Sequence, residues 1–231
     1  MVNKTVMITG ADRGVGAALC RQFLDGGWQV YAGQYLPHWN ELEAMKEIYP
    51  QQLHILPLDV SDATSVNEAA DSLQESGTVI DMLINCAGIT LPDEPEKIKK
   101  IFRVNSLGPV NMVEKFLPLM QQGEKRLCFV SSEAGSISLA HRVGAIGYCM
   151  SKAALNMSIR LMFNRLQPQG YSFRIYHPGW VRSYMLGEFK NTDGKLEPEE
   201  TAKVAYEQFT SDREQENVLY MMDVYGDMWP F

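Results

Sequence analysis

The chain has 231 residues, of which 45% are hydrophobic and 21% are charged, and it carries a formal net charge of −7. This length suits one domain, which we expect to span residues 1–231, and the composition is ordinary for a soluble globular protein. The acidic balance argues against a nucleic-acid partner, and no apolar run approaches the ~20 residues that a membrane-spanning helix needs, so a membrane partner is not expected either.

The sequence contains four cysteines, and none of them belongs to a C-x-x-C pair. All four lie in apolar or helical stretches, so the pattern favours buried free thiols over disulfide bonds or a metal site. The first residues, MVNKTVMITG, enter a strand-like run directly and show no charged and then apolar signal segment. We therefore expect a cytoplasmic protein without a metal centre.

Short apolar runs alternate with longer helical patterns along the chain. The predicted strands are, in chain order, TVMITG (5–10), WQVYAG (28–33), LHILPLDV (53–60), VIDMLINCAG (79–88), EKRLCFVSS (124–132), YSFRIYHPG (171–179) and ENVLYMMD (216–223). The predicted helices occupy residues 14–27, 38–49, 61–76, 95–121, 148–167 and 198–210. Two glycines end the first helix, and Ser61 and Asp62 are a start signal for the third.

The strands are apolar along their whole length and do not alternate between apolar and polar residues. Such strands are buried on both faces, as in a parallel sheet that helices cover. Right-handed crossovers then produce a single-domain α/β fold, a Rossmann-like doubly wound parallel sheet of about seven strands with helices on both faces. Residues 184–197, YMLGEFKNTDGKLE, are weakly patterned and are a candidate substrate flap.

The segment TGADRGVG (9–16) connects the first strand to the first helix, and its glycines follow a G-x-x-x-G-x-G spacing. Glycine permits a tight turn and lets a diphosphate approach the amides that open the helix, whose partial positive charge favours an anion. A merely tight connection is the alternative. At the end of a first strand, the pattern favours a dinucleotide site formed by Gly10, Asp12, Arg13, Gly14, Val15 and Gly16.

The second strand ends at Gln34 and lacks the carboxylate that would bind the ribose hydroxyls of NAD. Arg13 lies in the glycine turn, and a guanidinium beside a neutral strand end suits the 2′-phosphate of NADP. The sequence therefore favours NADP(H) over NAD(H), with a solvated Arg13 and an incidental Gln34 as the alternative. After the third strand, either Asp59 and Val60 flank the adenine or Asp59 caps the next helix.

The hexapeptide GYCMSK places Tyr148 and Lys152 four positions apart on a predicted helix. Residues at this spacing share one helix face, so the two side chains point in the same direction. A free phenol has a pKa of about 10, and a neighbouring ammonium stabilises its ionised form, which suits general acid–base catalysis. Taken alone, the pair is explained better by an amphipathic tyrosine and a solvated lysine, so other motifs must decide.

Four motifs occur in order along the chain: TGADRGVG (9–16), NCAG (85–88), VSSEAG (130–135) and YCMSK (148–152). In this order they resemble the short-chain dehydrogenase/reductase family, and the resemblance runs across nearly the whole chain. Cys86 replaces an asparagine that is common at its position, and Ser183 stands where threonine is more usual. The interval from Ser132 to Tyr148 is slightly long, so the residues around AHRVGAIG are expected to bulge toward the substrate.

The family resemblance implies a reversible hydride transfer between a carbonyl and an alcohol, with Tyr148 as the general acid and base. It implies that Ser132 hydrogen-bonds the reacting oxygen and that Lys152 lowers the pKa of the tyrosine and holds the nicotinamide ribose. Asn105 would position a water that relays protons to solvent. The resemblance also implies cofactor contacts at Asn85, Ala87, Gly88, Tyr148, Lys152, Pro178, Gly179, Val181 and Ser183.

Three further features near these motifs have competing interpretations. His177 ends the sixth strand and fits a core residue better than an acid or base. Cys149 points about 100° around the helix from Tyr148, which indicates packing. Four further side chains could line an apolar substrate pocket, and ordinary packing explains them equally well: Met150, Trp180, Tyr184 and Met185.

The carboxy-terminal segment DVYGDMWPF resembles the subgroup that contains sniffer-type carbonyl reductases and C-factor-like proteins. This second resemblance leaves open an alternative function, a signalling protein that binds nucleotide without useful turnover. The helices at about 105–121 and 148–168 are apolar on more than one face, and family members commonly pair them, so a homodimer or homotetramer is expected. The expected substrate is a small carbonyl or alcohol, whose identity and reaction direction stay open.

Overall fold

The structure, a computed structural model, describes residues 4–185 and 190–231. Residues 186–189 of the candidate flap therefore lie outside the described residues. The described part of the chain is an α/β fold in which helices cover both faces of one sheet, so the predicted fold class is confirmed.

The sheet contains the seven predicted strands and one additional strand at its edge. The strands are β1 (Thr5–Ile8), β2 (Gln29–Gln34), β3 (Leu53–Pro57), β4 (Met82–Asn85), β5 (Arg126–Val130), β6 (Ser172–His177), β7 (Met221–Asp223) and β8 (Met228–Trp229). Their spatial order is β3-β2-β1-β4-β5-β6-β7-β8, and only the β7–β8 pair is antiparallel. The sequence prediction omitted β8 because two residues are too few to show a periodic pattern.

The helices are α1 (Gly14–Asp25), α2 (Glu41–Ile48), α3 (Ala63–Glu75), α4 (Pro95–Phe102), α5 (Gly108–Phe116), α6 (Ile146–Leu166) and α7 (Pro198–Thr210). The helix predicted at 95–121 is thus divided, and a π-helical turn over Arg103–Leu107 joins α4 to α5. Pro109 lies in the first turn of α5, near a helix start as predicted. Across residues 4–185 and 190–231, no helix combines the length and apolar character needed to cross a membrane.

Two apolar layers hold the helices against the sheet. Met7 of β1 packs in the layer under α3, α5 and α6, whereas its neighbours Val6 and Ile8 pack in the layer under α1, α2 and α7. Successive strand residues point to opposite faces, so each central strand needs apolar residues at every position. The edge strand β3 has only Leu53 fully buried.

The strand order reverses between β1 and β4, because the chain moves outward from β1 through β2 to β3 and then returns to the other side of β1. In such sheets, ligands bind outside the carboxyl ends of the strands at the point of reversal. The segments after β1, β4, β5 and β6 meet at this edge. The fold therefore brings the glycine turn, the NCAG segment, Ser132 and His177 together.

Candidate active site

The glycine turn after β1 forms a tight cradle that opens at the start of α1. Gly10 and Gly14 have φ angles of +64° and +59°, a left-handed conformation that other residues rarely adopt. A Cβ atom at Gly16 would lie 2.0 Å from the carbonyl oxygen of Gly10, so α1 can begin this close to the turn only with glycine there. Val15 is half-buried beside them. The turn and the helix amides fit a dinucleotide diphosphate.

Thr9 links this turn to the NCAG segment after β4. Its hydroxyl oxygen accepts hydrogen bonds from the backbone amides of Cys86 at 3.0 Å and Ala87 at 3.1 Å. Asn85 is buried, and its Oδ1 atom has no hydrogen-bond partner among the described residues. An unpartnered buried acceptor at this position also fits a bound ligand.

Asp12 faces the loop after β2. Its Oδ1 atom accepts hydrogen bonds from the backbone amides of Tyr35 at 2.6 Å and Leu36 at 3.3 Å. Burial raises the pKa of this carboxyl, while the two amides and Arg13 act in the opposite direction. Asp12 therefore holds the glycine turn against the end of β2, and its direct contact with a cofactor stays a prediction.

Arg13 is held between two aromatic side chains. Its guanidinium carbon lies 4.6 Å from the ring centroid of Trp39 and 5.7 Å from that of Tyr184, and it donates a hydrogen bond of 3.1 Å to the Tyr184 carbonyl. The two rings are themselves 4.7 Å apart. The alternative of a freely solvated Arg13 is therefore wrong. The partner Trp39 escaped the sequence analysis because nothing local links it to the glycine turn.

Two buried nitrogen atoms in this region lack hydrogen-bond partners among the described residues. They are Nε2 of Gln34, the last residue of β2, and Nε1 of Trp39, which stacks on Arg13. A phosphate accepts hydrogen bonds from such donors and pairs with a guanidinium. The donor set therefore fits a phosphorylated ribose.

Asp59 forms a local turn after β3. Its Oδ1 atom accepts hydrogen bonds from the amide and the hydroxyl of Ser61, at 2.8 and 2.7 Å. The cap of α3 is Asp62, whose side chain accepts the Thr64 amide at 2.9 Å, so the alternative that Asp59 is the cap is wrong. Val60 is buried. Adenine contacts at both Asp59 and Val60 stay predictions.

Tyr148 and Lys152 lie at the start of α6. The Lys152 Nζ atom is 5.8 Å from the ring centroid of Tyr148 and donates a 2.9 Å hydrogen bond to the Val130 carbonyl. A Cβ atom at Gly88 would lie 3.8 Å from the same Nζ, so the NCAG segment reaches the lysine. Ser132 follows β5 at the same edge of the sheet, and its hydroxyl acts to lower the pKa of the Tyr148 phenol. The structure thus brings the three predicted catalytic side chains together.

The chain itself raises the pKa of Tyr148 to about 12. Although the residue is only half-buried, burial is the main cause; the Ser132 hydroxyl acts in the opposite direction, and the Glu133 carboxylate adds to the rise. Burial also lowers the pKa of Lys152 to about 8, because it disfavours the ammonium. The expectation that the Lys152 ammonium acts to lower the pKa of Tyr148 stays a prediction; in the structure this ammonium donates to the Val130 carbonyl.

Asn105 is fully buried in the π-helical turn, and both hydrogens of its side-chain amide are donated to partners. Its Oδ1 atom accepts the Ile89 amide at 2.9 Å, and its Nδ2 atom donates to the Ile89 carbonyl at 2.8 Å and to the Ser151 hydroxyl at 3.0 Å. The side chain therefore fastens the segment after β4 to α6. A relay water at this residue stays a prediction.

The segment after β6 runs along the same edge. The Pro178 carbonyl accepts the Thr201 hydroxyl at 2.8 Å, and Gly179 has a φ angle of +77°. Val181 is buried and forms a bridge to Leu196, and the Ser183 carbonyl accepts the Asn191 amide at 2.8 Å. These bonds fix the backbone of the segment, and the nicotinamide contacts that the family resemblance implies for it stay predictions.

Two charged residues at the site were missed, Glu133 and Arg142. The Glu133 carboxylate accepts the Ser132 hydroxyl at 2.5 Å and the Arg142 Nε atom at 3.0 Å, and it lies 3.6 Å from Nε2 of His177. His177 is buried as expected of a strand-end core residue. The available signals were a glutamate directly after the candidate serine and an arginine in the segment expected to bulge toward the substrate.

The model of the short chain dehydrogenase family matches residues 4–194 of this chain. The protein therefore belongs to the short-chain dehydrogenase/reductase family, whose members are NAD(P)-dependent oxidoreductases, and the family resemblance drawn from the four motifs is confirmed.

Three similar proteins illustrate the relationship. An uncharacterized oxidoreductase of Schizosaccharomyces pombe is 30% identical over 230 residues, covering 96% of this chain and 90% of the relative. The C-signal protein of Myxococcus xanthus is 39% identical over 115 residues, covering 47% of this chain and 69% of the relative. A carbonyl reductase of Pseudomonas aeruginosa, solved in complex with NADP, has a TM-score of 0.84 at 26% identity, covering 99% of this chain and 100% of its own. Whether the carboxy-terminal segment places the chain in one subgroup of the family stays a prediction.

Proposed function

We propose that this protein is an NADP(H)-dependent carbonyl reductase in which Tyr148 exchanges a proton with the oxygen of a small carbonyl or alcohol substrate. The observation that carries the proposal is the meeting of Ser132, Tyr148 and Lys152 at the sheet edge where the glycine turn opens. Family membership and the NADP-bound carbonyl reductase of similar fold support it.

Each catalytic side chain has a distinct task in this proposal. When bound, the nicotinamide cofactor supplies the hydride. The Tyr148 hydroxyl donates its proton to the carbonyl oxygen as negative charge develops there, and Ser132 orients that oxygen. The buried Lys152 ammonium holds the ribose and supplies positive charge near the phenol.

The electrostatics of Tyr148 favour reduction over oxidation. A pKa raised to about 12 keeps the phenol protonated at neutral pH, which is the form that donates a proton to a carbonyl. Alcohol oxidation needs the phenolate as a base, so its rate should rise with pH over the range in which the reduction rate is flat or falling.

The preference for NADP(H) rests on the donors near the ribose position. Arg13 is oriented by Trp39 and Tyr184, and Gln34 and Trp39 each hold a buried nitrogen without a partner. Arg13→Met should weaken NADPH binding about tenfold and leave NADH binding within about twofold, since only NADPH carries the phosphate. Fluorescence titration with both cofactors measures this, and an equal loss for both would contradict the preference.

The direct test of the function is NADPH oxidation against a panel of small aldehydes and ketones. Turnover by the wild-type protein and its loss in Tyr148→Phe, with NADPH binding retained, is the expected result. Turnover that survives in Tyr148→Phe would contradict the role of the phenol.

A second candidate function is a nucleotide-binding signalling protein without useful turnover, which the C-signal similarity favours. Binding of NADPH with no turnover in either the wild type or Tyr148→Phe would support it. The convergence of three catalytic side chains argues against it, because a protein that only binds nucleotide does not need all three.

We also propose a homodimer or homotetramer located in the cytoplasm. The outer face of α6 exposes Met150, Met157 and Leu161, and Leu107 of the π-helical turn is also exposed, so these apolar side chains are available to a second copy. The four cysteines are free thiols, as expected in a reducing compartment. Light scattering after size-exclusion chromatography tests the assembly, and Leu161→Glu should weaken it.

A further inference from the structure

An ion pair lies directly against the catalytic serine. Glu133, the residue after Ser132, begins a short 3-10 turn, and its side chain is 12% exposed. Arg142 comes from the segment between that turn and α6, and its Nε atom donates to Glu133 Oε1 at 3.0 Å. Glu133 Oε2 accepts the Ser132 hydroxyl at 2.5 Å. One carboxylate oxygen thus accepts a hydrogen bond from the serine, and the other accepts one from the guanidinium.

We propose that Glu133 and Arg142 are a matched pair of positioning residues, which fix the direction of the Ser132 hydroxyl proton and balance the charge beside Tyr148. This inference rests on the proposed function, because it concerns proton transfer at the same site. Neither residue was among the sequence-predicted site residues.

The hydrogen-bond partners of the Ser132 hydroxyl determine the direction of its proton. Burial acts to raise the pKa of Glu133, but the bonds from Ser132 and Arg142 outweigh it and hold the pKa below its ordinary value. Glu133 is therefore an ionised acceptor, and the serine must be the donor. The Ala134 amide donates back to Ser132 Oγ at 3.1 Å. In the absence of a substrate, Glu133 therefore holds the Ser132 proton in one fixed direction.

This arrangement leaves Tyr148 as the hydroxyl that protonates the carbonyl oxygen. A carbonyl oxygen only accepts hydrogen bonds, so Ser132 orients it by turning its proton from Glu133 to the substrate, while the Tyr148 phenol donates the proton that is transferred. Breaking the bond to Glu133 would leave the direction of the serine proton unfixed before the substrate binds.

The charges around Tyr148 come from every element that packs against it. Glu133 on the 3-10 turn acts to raise the phenol pKa, Arg142 on the following segment acts to lower it, and Cys149 acts to raise it. The other titratable groups nearby are Lys152 on α6, His177 on β6 and Asp93, which accepts the first amides of α6. Burial lowers the pKa of His177, so this ring is neutral near pH 7 and Arg142 supplies the charge that offsets Glu133.

The test compares Glu133→Gln, Arg142→Gln and the double variant. The phenol titration of Tyr148 is followed by NMR of isotope-labelled tyrosine, with and without NADP⁺, and Tyr148→Phe identifies the signal. Glu133→Gln should move the titration about one pH unit lower, Arg142→Gln should move it higher, and the double variant should return close to wild type. Alcohol oxidation should show the same shifts in its pH profile.

The test also needs a control variant at a distant ion pair and a check that each variant is folded. Glu96→Gln removes the same charge from an exposed pair with Lys99, 2.6 Å long and distant from the site, and it should move nothing. Melting curves exclude variants that do not fold. If the two single variants shift the titration in the same direction, or not at all, the positioning role is wrong while turnover and the proposed function stand. If wild type has no turnover but the opposite shifts appear, the proposed function fails and the positioning role stands.

Discussion

Charged side chains lie near both ends of strands β5 and β6, and they have different partners at the two ends. Toward the amino ends, Arg126 donates to the Phe209 carbonyl at 3.0 Å, and Arg174 donates to the Ser211 carbonyl at 2.8 Å. Arg174 also holds both carboxylate oxygens of Glu216, at 2.6 and 2.7 Å. These guanidiniums tie the end of α7 and the segment after it to the sheet.

At the carboxyl ends, the buried polar groups bond mainly to one another and include groups that can exchange protons. Ser132 donates to Glu133, and Lys152 has a pKa of about 8. A guanidinium stays protonated at any ordinary pH, whereas an amine or phenol whose pKa burial has shifted can exchange a proton. The comparison teaches that one end of the sheet uses charge for stability and the other for proton transfer.

Tyr148→Phe should produce the largest effect, and only at the carboxyl end. Removing the proton donor should lower kcat/KM for carbonyl reduction by about 100- to 10,000-fold, and the melting temperature should change little because the substitution keeps the aromatic ring and removes one hydroxyl. Steady-state kinetics and calorimetry on the same preparation measure both. A loss of stability that parallels the loss of activity would contradict the conclusion that the two ends of the sheet have different roles.

Arg174→Met should do the reverse at the amino end. Arg174 is 1% exposed, and its loss removes the bidentate partner of Glu216, which keeps the Arg213 amide. The same loss removes the guanidinium donor of the Ser211 carbonyl. The free energy of unfolding should fall by about 2–4 kcal/mol, with kcat/KM per folded molecule unchanged. Urea unfolding measures the change, and Glu216→Gln is the milder matched variant. A selective loss of activity in Arg174→Met would contradict the comparison.

The affinity for cofactor should depend on pH through the protonation of the Lys152 amine. Its pKa of about 8 means that the ammonium is present below this pH and is lost as the pH rises through it. NADPH affinity should therefore fall several-fold between about pH 7 and pH 9, and Lys152→Met should bind weakly with little pH dependence in that range. Fluorescence titration across the range provides the measurement, and a wild-type profile that is flat would contradict the assignment.

Asp212→Asn should have the smallest effect. Asp212 accepts a 2.7 Å hydrogen bond from Arg126, but its side chain is 93% exposed, so water and salt screen the pair. We expect no measurable change in melting temperature or activity. A clear loss of stability would show that exposed charges also contribute at the amino end.

The predictions that the structure bears out rest on local patterns. Strands buried on both faces appear as continuous apolar runs, and the glycine spacing at 9–16 marks a turn that other residues cannot form. The i, i+4 spacing placed Tyr148 and Lys152 on one helix face before any tertiary contact was known.

The features that the sequence analysis missed depend on contacts between distant residues. The pairing of Arg13 with Trp39 and Tyr184, and that of Glu133 with Arg142, arise only when separate loops meet at the sheet edge. The burial that raises the pKa of Tyr148 was not predicted for the same reason, because burial depends on the whole surrounding structure.

The amino-acid sequence by itself determined the alternation of strands and helices, the glycine turn and the side chains available for proton transfer, because backbone conformation and helix periodicity are local properties. The tertiary structure alone decided which charges surround those side chains, where the π-helical turn holds Asn105, and which way the Ser132 proton points. The physical reason is that burial and hydrogen-bond partners are set by segments far apart in the chain.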